Sequence, residues 1–296
     1  MKFKKNLVSV ILNCYNGEKY LKEALSSVIS QTYKNWELIF LDNRSNDNSK
    51  AIFKSFKNKK FKYFKTSKHL SLYSARNLAI KKTRGEFISF IDSDDLWEKK
   101  KLKNKIKFFK NLQVGVVYGN LFVKKKENVK KYYNEYLKVG NIYKDLIKRY
   151  NIGILTVMIR KKILFKEKKL FNDNYNIIGD FDLFLRLSKK NYFQAVQQPV
   201  ATYRIHEDNL SLKNRILEVK EYKNWYKRNK QNLNHEEKNV IQKKINTSEF
   251  LSYKFEKSFL KTLCFFIKKK KYLLSIKNIL ILINPRFILE KFMLFV

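Results

Sequence analysis

The sequence predicts an α/β fold, a mostly parallel β-sheet flanked by helices, followed by a basic helical C-terminal extension. From residue 7 to about 119, short apolar runs alternate with stretches of helical periodicity, which is typical of βαβ units. The segment 87–91 is almost continuously apolar, as expected of a central strand covered on both faces. After residue 206, lysine-rich polar faces alternate with stripes of Phe, Leu and Ile, which indicates helices.

The order of the elements follows from these runs. β-prone apolar runs predict strands at 7–12, 36–41, 61–65, 87–91 and 114–119. Helical spacing of apolar residues predicts helices at 18–30, 47–57, 71–82 and 97–112. The next segment is rich in Lys, Tyr and Asn, and we expect a mobile loop at 120–140. A second compact region, 141–205, is expected to hold a helix near 180–190 and short strands near 192–204.

The length and these shifts in composition set the domain organisation. A chain of 296 residues suits one large domain, or one domain plus a tail. We expect an α/β domain at 1–206 and a helical, lysine-rich region at 207–296.

The composition excludes several classes of protein. With 44% apolar residues and only 2 prolines, the chain is neither a low-complexity disordered protein nor a collagen-like repeat. The two cysteines, Cys14 and Cys264, exclude a disulfide scaffold and a cysteine-rich zinc site. They predict two buried thiols in a reducing cytosol, with one long-range bridge as the alternative.

The chain is strongly basic, with 65 Lys and Arg against 26 Asp and Glu and a formal charge of +39. Such a charge suits polyanionic partners, such as nucleic acid, an anionic membrane or phosphorylated substrates. The excess is mostly lysine spread along the whole chain, which favours a compositional bias over a dedicated polyanion surface. A nucleic-acid-binding protein is the competing interpretation, motivated by the charge and the many Tyr and Phe residues.

No segment has the length of a membrane anchor. The apolar run 7–12 is too short for the core of a signal peptide, and nothing reaches the ~18–20 uncharged apolar residues of a transmembrane helix. The segment 259–296 mixes Phe, Leu and Ile with four consecutive lysines at 268–271 and is similar to an interfacial amphipathic segment. We therefore expect a cytoplasmic protein that binds the inner face of the cytoplasmic membrane peripherally. The alternative is that these helices pack on the α/β domain.

Carboxylates follow two of the predicted strands. Asp42 comes directly after the second strand, and Asp92 and Asp94 come after the fourth. Ligand sites in open α/β sheets lie outside the carboxyl ends of the strands. Residues two apart in extended backbone point to the same side, so Asp92 and Asp94 can converge on Mg²⁺ or Mn²⁺ and a diphosphate. The alternative is that Ser93, Asp94 or Asp95 only caps the helix expected to begin near Trp97.

A further acid, Asp180, begins a predicted helix. A helical projection places it on the apolar face with Leu183, Phe184 and Leu187, while Asp182 faces the opposite side and can pair with Arg186. A carboxylate beside an apolar face has a pKa raised by desolvation and lowered by the helix dipole, and it can serve as a general base. The alternative is an N-terminal cap without chemistry.

Taken together in order, these segments resemble a family 2 glycosyltransferase with the GT-A fold. The resemblance covers roughly residues 8–211. It is carried by VSVILNCYN at 8–16, YL at 20–21, SV at 27–28, QTY at 31–33, ELI at 37–39 with Asp42, ARN at 75–77, GEFI at 85–88, DSDDLW at 92–97, GDFDL at 179–183 and YRIH at 203–206.

The resemblance implies a nucleotide-binding role for five residues. Asn13 lies in the turn that holds the nucleobase, and Tyr15 takes the stacking position. Asp42 and Asn43 match a pair of acids near the base, and Arg76 matches a basic residue near the nucleotide. In UDP-sugar enzymes the second acid accepts the uracil N3–H. The amide of Asn43 accepts more weakly and also donates, so UDP is expected while GDP or dTDP stays open.

The resemblance also implies the metal site and the reaction. Asp92 and Asp94 match the Asp-x-Asp motif, with Asp92 near the ribose and Asp94 near Mn²⁺ or Mg²⁺. His206 matches a histidine near the diphosphate or metal, although an ordinary turn histidine is the alternative. Asp180 matches the general base. The implied function is inverting transfer from a nucleotide-sugar to an acceptor hydroxyl, in cell-surface polysaccharide or lipopolysaccharide synthesis.

The expected partners are a nucleotide-sugar donor, a glycan or lipid-linked glycan acceptor and an anionic membrane surface, with no nucleic acid. The main alternative within enzymes is transfer to a polyprenyl phosphate. A catalytically inactive relative that binds sugar nucleotide or glycan is a third interpretation, which the presence of Asp94 and Asp180 argues against.

Overall fold

The computed structural model describes residues 3–167 and 169–255. Four parallel strands form its first half: β1 (Lys4–Cys14), β2 (Trp36–Asp42), β3 (Phe61–Lys65) and β4 (Gly85–Asp92). They lie side by side in the order β3-β2-β1-β4. Parallel neighbours need crossover connections, which contain the helices α1 (Glu18–Ile29), α2 (Ser49–Ser55) and α3 (Leu72–Lys82).

The sheet continues beyond β4 with mixed strand directions. The added strands are β5 (Leu96–Trp97), β6 (Val114–Lys125), β7 (Asn128–Lys131), β8 (Met158–Arg160) and β9 (Tyr192–Ile205). The strand order runs β3-β2-β1-β4-β8-β6-β9-β5, with β7 paired to β6. The helices here are α4 (Lys101–Ile106), α5 (Tyr143–Lys148), α6 (Lys161–Lys166) and α7 (Gly179–Ser188).

Three local expectations are wrong. The expected loop at 120–140 instead contains the end of β6, which pairs with β7 as a hairpin. The short strands expected near 192–204 are one strand of 14 residues, because β9 pairs along most of its length with β6. The helix expected at 97–112 is shorter: Leu96–Trp97 is a strand, and the helix Lys101–Ile106 passes into a 3₁₀ turn at Lys107–Lys110.

The core lies on both faces of the parallel strands. Along β1, one face carries the buried residues Val8, Val10 and Leu12, and the opposite face carries the buried residues Ser9 and Ile11. Burial on both faces is typical of parallel strands between crossover helices, and it explains why these strands appear in the sequence as continuous apolar runs.

The described chain falls into two compact units, the first ending at Asn209 and the second beginning at Leu210. The described part of the second unit contains α8 (Leu210–Lys213), α9 (Arg215–Asn229) and α10 (His235–Phe255). Within it, α9 and α10 lie together, and Lys223 Nζ donates to Glu249 Oε1 at 2.9 Å. In residues 3–167 and 169–255, we find no helix with the length and hydropathy needed to cross a bilayer. The segment 259–296, for which an interfacial role is expected, lies outside the described residues.

Candidate active site

The predicted site residues of the first unit begin at the carboxyl ends of three neighbouring strands. In the sheet register, Asn13 of β1 lies opposite Leu41 of β2 on one side and Asp92 of β4 on the other. Asp42 ends β2 one position beyond Leu41. The parallel arrangement therefore places Asn13, Asp42 and Asp92 at one edge of the sheet, which is where open α/β sheets bind ligands.

Arg76 holds the first of the predicted metal-site acids. It lies on α3, is 3% exposed, and donates from Nη2 to Asp92 Oδ1 at 2.6 Å. Burial lowers the pKa of the Arg76 guanidinium, but the negative charges of Asp92 and Asp180 outweigh this effect and raise the pKa. Arg76 is thus a buried cation with two acids around it.

Asp180 is held by the same helix that carries Arg76. The hydroxyl of Tyr73 lies 3.1 Å from Asp180 Oδ1 and 3.0 Å from the carbonyl oxygen of Ile177. Tyr73 and Arg76 are three residues apart on α3, a spacing that places both side chains on one face of a helix. Helix α3 therefore reaches Asp92 with one side chain and Asp180 with the other.

A glycine allows α7 to approach this closely. A Cβ atom on Gly179 would lie 2.5 Å from the Tyr73 ring, so a larger residue would push the start of α7 away from α3. Asp180 Oδ1 also accepts from the backbone N–H of Phe181 at 2.8 Å. Burial raises the pKa of Asp180, while the charge of Arg76 and these hydrogen bonds oppose the rise.

The other predicted acid, Asp94, lies in the turn after β4 and has its own partners. Its Oδ2 atom lies 2.8 Å from His206 Nε2 and accepts from Asn209 Nδ2 at 3.3 Å. Arg204 fixes the backbone of the same turn, because its Nε donates to the carbonyl oxygen of Asp94 at 2.9 Å. The backbone N–H of Arg204 donates to Asp95 Oδ1 at 3.0 Å. The end of β9 and the residues after it therefore hold one side of the turn 92–95, which is called the acidic turn below.

The hydrogen bonds of His206 define its tautomer. Its Nδ1 atom accepts from the backbone N–H of Asp208 at 3.2 Å, so in the neutral ring the proton is on Nε2 and is donated to Asp94. Burial and the negative charge of Asp92 raise the pKa of Asp94, and His206 opposes that rise. Asp92 and Asp94 are thus close enough to repel each other, although each carboxylate is held by a different partner.

The donor atoms here fit an open metal site and not a closed one. Within the described ranges, no group of three or more His, Cys, Asp and Glu side chains is arranged to hold a metal ion. Asp94 offers a hard carboxylate with a raised pKa beside a second acid, which is the environment that a divalent cation relieves. Mg²⁺ in particular is commonly held by one or two carboxylates plus substrate phosphates and water, so these residues fit it with the substrate completing the coordination.

Tyr15, which directly follows β1 at the carboxyl edge of the sheet, presents an aromatic surface. Its side chain is 53% exposed, and its ring centroid lies 4.3 Å from that of His69. His69 Nδ1 lies 3.1 Å from the carbonyl oxygen of Asn43. Because a carbonyl only accepts, Nδ1 carries the proton. Nearby, the amide nitrogen and oxygen of Asn13 are buried without a hydrogen-bond partner among the described residues.

The side chains of Asp42 and Asn43 are engaged within the protein. Asp42 Oδ2 accepts from the Tyr63 hydroxyl at 2.5 Å, and its Oδ1 accepts from the backbone N–H of Ser45 at 2.7 Å. The amide of Asn43 forms a two-way pair with the backbone of Leu70, donating at 2.8 Å and accepting at 2.9 Å. Asn43 therefore fixes the loop that carries His69.

The structure adds contact residues that the sequence analysis did not single out for the site, among them Tyr73, His69 and Asn209. Two had an available signal: Tyr73 shares a helical face with Arg76, and Asn209 follows His206 by three residues. No comparable signal marks His69, because its contact with Tyr15 depends on the loop after β3.

Comparison with protein families decides the assignment. The model of a family described as "Glycosyl transferase family 2" matches residues 9–170, more than half of the chain. The chain belongs to glycosyl transferase family 2. The family predicted from the sequence motifs is thereby confirmed. The residues of those motifs lie in the strands and turns described above.

Curated members of glycosyl transferase family 2 resemble this chain over most of its length. It is 31% identical over 216 residues to an Escherichia coli protein named "UDP-Glc:alpha-D-GlcNAc-diphosphoundecaprenol beta-1,3-glucosyltransferase WfgD", covering 72% of this chain and 83% of that protein. It is 26% identical over 210 residues to the "Putative teichuronic acid biosynthesis glycosyltransferase TuaG" of Bacillus subtilis, covering 70% and 82%. One of these relatives is thus named for transfer of glucose to a diphosphoundecaprenol-linked sugar, and the other for teichuronic acid biosynthesis.

Solved glycosyltransferase structures share the fold. The TM-score is 0.61 to a structure of S. aureus TarS in complex with UDP-GlcNAc, at 20% identity over 94% of this chain and 78% of that chain. It is 0.62 to the Pyrobaculum calidifontis mannosyltransferase PcManGT in complex with GDP-Man and Mn²⁺, at 13% identity over 95% and 80%. These matches confirm the predicted GT-A fold.

Proposed function

We propose that this family 2 glycosyltransferase moves a sugar from a nucleoside-diphosphate sugar to an acceptor hydroxyl in a single displacement that inverts the anomeric carbon. One observation carries the proposal: Arg76 pairs with Asp92, and on the same helix Tyr73 contacts Asp180. This arrangement brings the start of α7 to the edge of the sheet where the acidic turn lies. An acid for the acceptor and an acidic turn for the donor would thus share one pocket.

Asp180 is the proposed general base. It would take the proton from the acceptor hydroxyl while the oxygen attacks the anomeric carbon from the face opposite the leaving diphosphate. Burial raises the pKa of Asp180 above that of an ordinary aspartate, which increases its strength as a base, and the positive charge of Arg76 limits this rise. Tyr73 holds the carboxylate in a fixed orientation.

The acidic turn is the proposed diphosphate end of the site. Asp94 would hold Mn²⁺ or Mg²⁺, with His206 beside it and Asp92 toward the ribose. The cation would neutralise charge on the leaving nucleoside diphosphate. Arg204 and Asn209 would position Asp94 through the contacts described above.

Uracil is the proposed base of the donor. The exposed ring of Tyr15 would stack on it, and the unpartnered amide of Asn13 would supply a donor and an acceptor nearby. The names of the relatives support this choice, since WfgD is named for UDP-Glc. Because Asn43 Oδ1 accepts from both Leu70 N–H and the Thr66 hydroxyl, Asn43 would contribute to base recognition through the position of the loop.

The proposed acceptor is a lipid-linked glycan of cell-surface polysaccharide or lipopolysaccharide synthesis. WfgD is named for a diphosphoundecaprenol acceptor and TuaG for teichuronic acid. Such an acceptor would bring the enzyme to the inner face of the cytoplasmic membrane, which agrees with the basic composition.

A panel of nucleotide-sugars tests the proposal. The melting temperature of the full chain is measured with UDP-glucose, UDP-GlcNAc, GDP-mannose and dTDP-glucose, each with Mn²⁺ and with EDTA. UDP-sugars are expected to stabilise the protein in Mn²⁺, by about 2.7 kcal/mol at a hundredfold excess over Kd. The same panel on Asp94→Asn is the control and should lose the Mn²⁺-dependent part. Absence of stabilisation by every nucleotide-sugar would contradict the proposal.

A further inference from the structure

A basic cleft lies at the edge of the sheet opposite the active site, and nothing in the proposed reaction uses it. It encloses about 300 Å³, which is at the lower end of the range for small-molecule sites. Its lining, which defines the term basic cleft below, is Lys4, Lys5, Leu7, Asn35, Trp36, Glu37, Lys59, Lys60, Lys62 and Arg84.

The sheet order explains why these cations meet. Lys4 and Lys5 begin β1, Lys59 and Lys60 precede β3, and Arg84 precedes β4. Because β3, β2, β1 and β4 are adjacent and parallel, their starting residues form one row at the amino-terminal edge. Backbone hydrogen bonds join the row, from Lys4 N to Arg84 O at 3.0 Å and from Leu38 N to Lys60 O at 2.9 Å. The basic cleft is therefore part of the sheet framework.

The one acid in the lining is fully engaged. Glu37 is 3% exposed, and its Oε1 accepts from the Ser9 hydroxyl at 2.7 Å and from the backbone N–H of Arg84 at 2.8 Å. Its Oε2 receives Arg84 Nη2 at 3.0 Å and Lys62 Nζ at 3.2 Å. One negative charge thus faces two cations and has no further capacity for the remaining lysines.

Those remaining lysines have no acidic partner. Across residues 3–167 and 169–255, no carboxylate forms an ion pair with Lys4, Lys5, Lys59 or Lys60. Lys60 is half-buried. Its Nζ lies 4.6 Å from the centre of the Trp36 ring and donates to the carbonyl oxygen of Lys34, a neutral partner that leaves its charge uncompensated. Burial and the charge of Lys34 lower the pKa of Lys60. A concave site with several unpaired cations focuses a positive potential, which a bound anion would relieve.

We propose that the basic cleft binds a phosphate-bearing anion of diphosphate size, at a site separate from the donor site. The seven residues of β2 separate the two edges by roughly 20 Å, so one diphosphate cannot occupy both. The anion has two chemical sources, a free diphosphate or the phosphate of an anionic lipid headgroup. Either source would meet Lys4, Lys5 and Lys59 at the open side of the cleft.

A matched pair of triple variants of the full chain tests the proposal. Lys4→Gln/Lys5→Gln/Lys59→Gln removes three cleft cations and leaves Glu37 with its partners. Lys22→Gln/Lys103→Gln/Lys130→Gln removes the same charge from exposed positions outside the cleft. The probes are inorganic diphosphate in EDTA, followed by calorimetry, and phosphatidylcholine vesicles with and without phosphatidylglycerol, followed by cosedimentation. Equal melting temperatures would show that both variants fold.

The expected result is a loss of affinity confined to the cleft variant, on the order of tenfold or more for three lysines. Loss of diphosphate binding with unchanged vesicle binding identifies a free phosphate as the ligand. A lipid headgroup is identified as the ligand by two results together. The cleft variant loses its phosphatidylglycerol-dependent sedimentation, and free diphosphate does not displace the unaltered protein from the vesicles. Equal effects in the two triple variants, or no binding of either probe to the unaltered protein, would overturn the proposal.

Discussion

The hydroxyl of Tyr73 lies 3.1 Å from Asp180 Oδ1, although the two residues are 107 positions apart in the sequence. One turn further along α3, Arg76 reaches Asp92 at 2.6 Å. A single helix therefore connects the acid that we propose as the base with the acid at the end of β4. The proposed mechanism requires this connection, because it keeps the proposed base beside the acidic end of β4.

Tyr73→Phe is expected to shift the acid side of the pH profile. The Tyr73 hydrogen bond lowers the pKa of Asp180, so its removal raises that pKa further. The base must be unprotonated, so kcat should begin to fall at a higher pH than in the unaltered enzyme. The measurement is kcat against pH at saturating donor and acceptor.

Tyr118→Phe is the control for that profile. Tyr118 is also fully buried, and its hydroxyl donates to a backbone carbonyl, that of Lys138, at 2.7 Å. Its replacement should lower the stability without moving the pH profile. An identical acid limb in Tyr73→Phe and the unaltered enzyme would contradict the role given to Tyr73.

His206→Ala is expected to weaken the binding of UDP in Mn²⁺ by roughly 10–100-fold, the usual effect of removing an outer partner of a metal ligand. The physical reason is that His206 Nε2 orients Asp94 through the 2.8 Å contact. Calorimetry with Mn²⁺ and with EDTA separates the metal-dependent part. His235→Ala, at an exposed position of α10, should bind UDP normally. A metal-dependent affinity that survives in His206→Ala would place that histidine outside the site.

Lys105→Met is expected to stabilise the protein at neutral pH. Lys105 is fully buried, its Nζ donates to the carbonyl oxygen of Val117 at 3.2 Å, and burial lowers its pKa well below the usual value. The unfolded chain therefore binds more protons than the folded one, so stability rises with pH up to the ordinary lysine pKa. The substitution should raise the melting temperature at pH 7 and weaken this rise.

Lys103→Met, at an exposed position of the same helix α4, is the matched control for Lys105→Met and should leave the pH dependence as it is. Thermal melts across the neutral to alkaline range provide the comparison. A lower melting temperature for Lys105→Met at every pH would show that the Val117 contact outweighs the cost of burying the amine.

Asn43→Ala is expected to lower the free energy of unfolding by about 1–3 kcal/mol, because the Leu70 N–H and carbonyl would lose their partners. Urea unfolding measures the change. Asn128→Ala, at an exposed position of β7, should change stability by less than about 0.5 kcal/mol. Equal stability of the two variants would mean that the loop carrying His69 is held by other contacts.

The sequence allowed the parallel half of the fold to be predicted because burial on both faces leaves a direct apolar signal. The strand predicted at 61–65 coincides with β3, and the helix predicted at 18–30 differs from α1 by one residue. The hairpin of β6 and β7 was missed because its exposed residues, such as Lys125 and Lys130, carry no such signal. Backbone pairing with a neighbouring strand holds them, and sequence periodicity does not report that pairing.

The candidate site also contains residues that the sequence predicted and contacts that it did not. The motifs located Asp92, Asp94 and Asp180, and the i,i+4 pairing expected between Asp182 and Arg186 is present at 3.1 Å. The partners of those acids could not be predicted, because Tyr73 with Asp180 and Asn209 with Asp94 are contacts across more than 100 residues of chain. Such contacts depend on the packing of α7 against α3 and on the course of β9.

Asp180→Asn tests the central claim most directly, with nucleotide-sugar turnover and UDP-sugar binding measured on the same sample. Asn keeps the size of the side chain but cannot take a proton from an acceptor hydroxyl. We expect kcat to fall by roughly 10²–10⁴-fold. The Kd for the UDP-sugar in Mn²⁺ should stay within a few fold of the value for the unaltered enzyme. Turnover close to that of the unaltered enzyme would contradict the assignment of Asp180 as the base.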